Sequence, residues 1–152
     1  MQEIRRWWAR EIDWMAAKHQ VPAHVVAAVI KAESGGKADA FRYEPGFYQR
    51  YLAHLPEYAD ANPRRVAASY GLMQVMYTTA VEVGYIGPPE GLFLPLESIE
   101  YGCRYLAQLL RWADGDVARA IAAYNGGRGN WQGERAQDYA ARVLRFMGEQ
   151  HV

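Results

Sequence analysis

The segment VIKAESGG, residues 29 to 36, sets a glutamate on an apolar helical face just ahead of two glycines. Pro22, Val26, Val29 and Glu33 stand at i, i+4, i+7 and i+11, and Val25 and Ile30 widen the same stripe. On a repeat of 3.6 residues these side chains share one face, so Glu33 points to the interior or its rim. Two effects then raise its pKa. Loss of water disfavours the carboxylate, and the negative end of the helix dipole disfavours a second negative charge. A carboxyl tuned this way keeps its proton near neutral pH and can act as a general acid. Gly35 and Gly36 stop the helix and leave room for a ligand beside the carboxyl. Taken alone, the stretch also suits a boundary glutamate that bends out to solvent or pairs with an arginine.

The elements that must position this group read as helices joined by short glycine and proline turns. One helix is predicted over 2–18 and a second from Pro22 to Ser34, with proline at a favourable first position. Short helical pieces are predicted over 45–54 and 63–69, and a further helix over 75–84. Residues 84–95 read as a loop, broken by three prolines and three glycines. A long helix covers 96–113. Asp114 is placed to cap the next, which reaches Tyr124, and a last helix covers 135–148. Strand signals are weak, at most a small hairpin around Gly71 within 67–76.

A chain of 152 residues suits one domain with one core. Seventeen basic and 17 acidic residues balance, so nothing favours nucleic acid as a partner. The 11 tyrosines and 5 tryptophans suit a groove that stacks on sugars, though each ring alone is more simply a packing residue. A single cysteine, Cys103, permits no internal disulfide and sits on a helical apolar stripe as a small core residue. His19, His24, His54 and His151 have no metal-ligand spacing, so neither metal nor cofactor is expected. The N-terminal segment has the helical spacing Ile4, Trp8, Ile12, Met15 facing a core, not the form of a signal peptide. No apolar run of about 20 residues is present to span a membrane.

Four motifs occur in series: Glu33-Ser34-Gly35-Gly36; Gly71-Leu72-Met73-Gln74 with Thr79-Ala80; Gly102 with Tyr105-Leu106; and Ala123-Tyr124-Asn125 with Gly127. The chain thereby resembles the soluble lytic transglycosylase family, relatives of goose-type lysozyme, over roughly residues 20 to 128. The resemblance implies an all-α, lysozyme-like helical domain whose groove takes peptidoglycan glycan strands, with Glu33 as the sole essential acid. It implies that Ser34 fixes the carboxyl or a substrate acetamido group. It also implies that Met73 and Gln74 lie near the cleaved bond and that Tyr124 and Asn125 approach from the opposite side. Val117, Ile121 and Tyr124 share a helical face, so a Tyr124 hydroxyl can hold Glu33, or the ring can simply be core. Met73, judged by residue type, is a packing residue. Tyr77 stands where the family commonly has proline, and Tyr70 where a smaller residue is usual. The stretch between Ala40 and Gly71, about 30 residues, is longer than usual.

That stretch carries Glu44, which bears on reaction type. A hydrolase needs a second carboxylate, as base or nucleophile; a lytic transglycosylase does not. Glu44 is a candidate second carboxylate, or else a partner of Arg42 or Arg50, or a cap for a helix starting at Pro45. Asp39 reads as a turn residue. The expected activity is cleavage of the β-1,4 bond after N-acetylmuramic acid with a 1,6-anhydro product, by a monomer. The rivals are a hydrolytic muramidase, a chitinase-like hydrolase, and a non-catalytic glycan-binding or structural virion component. The missing signal peptide leads one to expect a phage enzyme acting on the host wall.

Overall fold

The structure is a computed structural model that describes residues 2–150; His151 lies outside the described residues. The helices are α1 (Gln2–His19), α2 (Ala23–Ser34), α3 (Pro45–Phe47), α4 (Pro63–Val66), α5 (Tyr77–Glu82), α6 (Pro95–Trp112), α7 (Val117–Gly126) and α8 (Glu134–Glu149). Three short strands, β1 (Phe41–Tyr43), β2 (Ala68–Tyr70) and β3 (Val75–Met76), form an antiparallel sheet in that order. A π-helical turn over Tyr48–Leu52 continues α3, and a 3-10 turn covers Pro89–Phe93. The expected lysozyme-like helical architecture is present, and the small hairpin around Gly71 is the β2–β3 pair.

Pairwise packing closes a ring of helices: α1 on α2, α2 on α8, α8 on α7, α7 on α6, and α6 back on α1. All six residues from Val25 to Ile30 in α2 are fully buried. This helix is therefore apolar on every side rather than along one stripe, which marks a core helix. Burying each such valine or isoleucine contributes about 1.5–3 kcal/mol over leaving it in water. The helix that carries Glu33 thus has no exposed residue along its length. Ile4, Ile12 and Met15 of α1 face the core as expected, with Trp8 partly buried against it. At the other end of α1, Lys18 and His19 bond the buried carboxylate of Glu100 on α6, and Arg104 joins them at 3.0 Å. Burial pulls the Glu100 pKa upward, but these three donors outweigh it and hold the carboxyl at about 2. Cys103, next to this cluster, is fully buried, and burial pushes its thiol to about 12.

Several boundaries differ from the sequence reading, each for a local reason. The predicted 63–69 helix stops at Val66, because Ala68–Tyr70 pair as β2 with β1 and β3. The predicted 75–84 helix begins with two strand residues for the same reason. Asp114 does not cap α7. It takes a left-handed conformation, φ 52°, just past α6, and Asp116 is the cap, accepting from the Arg119 N–H at 3.1 Å. Strand β1 was unexpected: three residues are too few to show an alternating pattern. No helix among the described residues is long and apolar enough to cross a membrane.

Gly102 on α6 fills a position where only a hydrogen fits. A Cβ there would meet the Met73 side chain, coming within 2.8 Å of its Cβ. Overpacking of this kind costs about 1–3 kcal/mol. Gly102→Ala is expected to lower the denaturation midpoint accordingly, as read by urea unfolding; an unchanged midpoint would mean that Met73 repacks freely.

Candidate active site

Helix α2 ends at Gly35, whose left-handed conformation (φ 64°) lets its N–H reach back to the Ile30 and Lys31 carbonyls. Ser34 sits in this last turn. Its hydroxyl lies 2.7 Å from the Leu72 carbonyl and 3.1 Å from that of Ile30, and it accepts from the Gly36 N–H at 3.2 Å. It therefore ties the end of α2 to the β2–β3 turn, and its hydrogen bonds go to the backbone of Ile30, Leu72 and Gly36 rather than to the Glu33 carboxyl. On the far side, the kinked α1 sends the Trp8 indole N–H to the Gly36 carbonyl at 3.0 Å. The backbone after Glu33 is thus held from two directions.

Glu33 faces a groove of about 640 Å³. Its side chain is partly buried and lines that groove. The Tyr139 hydroxyl, from α8, donates to Glu33 Oε2 at 2.7 Å. Burial raises the Glu33 pKa from 4.5 to about 7, against the opposing pull of the Tyr139 hydrogen bond and the charges of Arg142 and Arg42. Of the two effects expected from the sequence, burial dominates. Around neutral pH the carboxyl is poised between its protonated and ionised forms, the condition for giving up a proton and taking one back. Burial, with Glu33 as neighbour, pushes the Tyr139 hydroxyl well above its ordinary range, so it stays a donor.

The remaining expected residues divide. Gln74 lines the groove in a left-handed turn position (φ 49°), with its amide nitrogen donating to the Ala40 and Gly71 carbonyls at 3.0 Å. Gly71 makes that turn possible: at φ 75° it also lies where a Cβ would come within 2.6 Å of the Leu92 carbonyl oxygen. Met73 is fully buried. Its side chain packs against Gly102 and is not among the groove-lining residues, the packing role that its residue type suggests. The Tyr124 ring borders the groove, but its hydroxyl donates to the Met73 carbonyl at 2.7 Å. It fixes the groove wall and does not hold Glu33; that part belongs to Tyr139. Asn125 is exposed on the groove at the end of α7. Glu44 shares the groove and pairs with Arg42 Nε at 3.0 Å; it offers α3 no side-chain cap.

Tyr139 and Arg142 escaped the sequence reading, and Arg42 entered it only as the partner of Glu44 that it is. Ala136, Tyr139, Ala140 and Val143 are the buried residues of α8, a spacing of i, i+3, i+4, i+7 that the sequence does display. A tyrosine on such a face needs a partner for its hydroxyl, and that was the available signal. Among the described residues no group of three or more histidine, cysteine or acidic side chains could hold a metal ion.

A helical, lysozyme-like domain with a partly buried carboxyl, raised to about 7, on a groove is the class that fold and site define. Residues 11–144 match the family described as the transglycosylase SLT domain, and the chain belongs to that family. Among solved structures it is similar to an inactive mutant of the lytic transglycosylase Slt from Pseudomonas aeruginosa, with TM-score 0.71 and 19% identity over 91% of this chain and 23% of that one. It is likewise similar to the 70 kDa soluble lytic transglycosylase of Escherichia coli, with TM-score 0.71 and 17% identity over 92% of this chain and 23% of that one. At these identities the likeness is one of fold, and the chain spans about a quarter of the length of either protein.

Proposed function

We propose that this chain is a peptidoglycan lytic transglycosylase in which Glu33 serves first as acid and then as base. The observation that carries the reading is the Glu33 carboxyl itself, raised to about 7 by burial, bonded by Tyr139 and placed on the groove. Protonated Glu33 gives its proton to the oxygen bridging N-acetylmuramic acid and N-acetylglucosamine, and that bond breaks. The substrate's own acetamido oxygen stabilises the positive anomeric carbon. The ionised carboxylate then takes the proton of the muramoyl C6 hydroxyl, whose oxygen closes the 1,6-anhydro ring. Glu33 is restored and no water is consumed. Asn125 supplies an amide on the groove for the sugar edges, and Gln74, whose nitrogen is committed to the Ala40 and Gly71 carbonyls, supplies its side-chain oxygen.

A second carboxylate in the same groove favours one rival. Glu44 activating a water would give hydrolysis instead; its ion pair with Arg42 is the arrangement of a wall residue. Mass spectrometry of digested sacculi separates the two, since a hydrolysed end is heavier by one water than an anhydro end. Anhydro ends throughout are expected; ordinary reducing ends throughout would transfer the second role to Glu44. A phage origin, expected from the sequence, has no counterpart in the fold.

The pH dependence follows from the same group. Glu33 must carry its proton when substrate arrives, so kcat/KM is expected to be high below pH 7 and to fall tenfold per pH unit once pH passes about 7. A profile flat from pH 5 to 9 would remove Glu33 as the acid.

A further inference from the structure

Residues 41–67 do more than lengthen the chain between two motifs. Tyr48, Leu52, Val66 and Ala67 form a buried cluster separate from the main core, with Phe47, Leu55 and Tyr58 packed on it. The Tyr48 hydroxyl ties this unit together by donating to the Tyr58 carbonyl at 3.0 Å. One side of the unit is a groove wall. Arg42, close enough for its charge to act on Glu33, begins it, and Glu44, Phe47 and Tyr51 continue it.

Tyr51 stands apart from the other rings of this unit. It remains 46% exposed on the groove, whereas Phe47, Leu55 and Tyr58 are partly buried on the small cluster. Its ring tilts by 48° against that of Phe47 with centroids 5.0 Å apart, and the Arg50 guanidinium lies 5.3 Å from its centroid. Tyr51 lies within the π-helical turn Tyr48–Leu52 and Phe47 directly precedes that turn; such widened turns recur at functional sites. The result is a two-ring apolar platform bordered by the Arg42–Glu44 ion pair. An acceptor and a donor side by side, with no net charge, suit the hydroxyl edge of a neutral ligand. A charged ligand would meet one of the two as a repulsive neighbour. A pyranose ring has both required surfaces: a C–H face for the aromatic rings and hydroxyls at its rim. Ligand sites of this kind combine aromatic area with a few placed polar groups.

We infer that Phe47 and Tyr51 form a saccharide-stacking subsite on the wall built by residues 41–67, holding a sugar beyond the two joined by the cleaved bond. This rests on the glycan-cleaving reading above. The subsite makes binding depend on strand length.

The test is calorimetric titration of the full chain carrying Glu33→Gln, which prevents turnover, with N-acetylglucosamine disaccharide and hexasaccharide. Adding Tyr51→Ala is expected to weaken the hexasaccharide about tenfold and the disaccharide by less than about twofold. Tyr51→Trp, which keeps a flat ring, is expected to restore the difference. Equal weakening at both lengths would show that the ring only supports the wall, and no weakening at either would show that it is an ordinary surface residue; each overturns the inference. Cleavage of sacculi by the wild type is followed in parallel. Its absence would defeat the catalytic reading, whereas intact cleavage with a length-independent Tyr51→Ala would defeat the subsite alone.

Discussion

Glu33→Gln is expected to reduce glycan cleavage by at least about 10³-fold and, at pH 8, to make the protein more stable. The first effect follows because an amide of the same shape can neither give the proton to the leaving oxygen nor take one from the C6 hydroxyl. The second follows from linkage. The Glu33 pKa is raised from 4.5 to about 7 in the folded chain, with burial as the main cause. Below pH 4 the group is protonated in both states and contributes no difference. Between 4.5 and 7 the folded state still holds a proton that the unfolded state has released, so stability falls as pH rises. Above 7 the loss is complete, at roughly 2 to 3 kcal/mol. Glutamine carries no charge to bury, so the variant escapes this loss. Urea unfolding of both proteins at pH 8 and pH 4 is the measurement. The gain is expected at pH 8 and not at pH 4, and a difference independent of pH would contradict the assigned protonation. A turbidity or zymogram assay reads the first effect. Equal clearing by both proteins would reject Glu33 as catalyst, and clearing by neither would leave a glycan-binding protein without activity.

Tyr139→Phe should act on the same carboxyl from the other direction. The lost hydrogen bond, 2.7 Å in the wild type, stabilises the carboxylate more than the acid. Its removal therefore raises the Glu33 pKa further. A hydrogen bond to a charged group contributes about 1.5–3 kcal/mol; partial exposure to the groove reduces this, so the descending limb of kcat/KM is expected to move up by about one pH unit. At pH 6, where both proteins are protonated, the variant is expected to lose about tenfold through poorer orientation of the acid. A merely structural tyrosine would lower activity without moving the limb. Tyr124→Phe provides the contrast, because its hydroxyl bonds the Met73 carbonyl and not Glu33.

How much of this was legible in the sequence depended on the range of the interaction. The position of Glu33 at the end of an apolar helix, followed by two glycines, is a local pattern, and the structure keeps it. The small hairpin around Gly71 was readable for the same reason. Tyr139 was not, because its contact with Glu33 joins residues 106 apart, and nothing near either residue encodes the meeting. Ser34 and Met73 show a different limit. They belong to motifs that accompany a functional site, yet Ser34 closes a helix end on the Leu72 carbonyl and Met73 fills the space left by Gly102. A motif marks a place in the fold without saying which of its side chains meets the ligand. The Asp114–Asp116 displacement is smaller in kind: either aspartate suits a cap, and the left-handed turn after α6 decides between them.

The apolar cluster of residues 41–67 has its own centre, and Tyr77 packs against both it and the main body. Such a molecule has two independent seats of cohesion. Apart from Arg42, whose charge reaches Glu33, changes in the smaller seat would reshape the groove wall while leaving in place the helix that carries the acid.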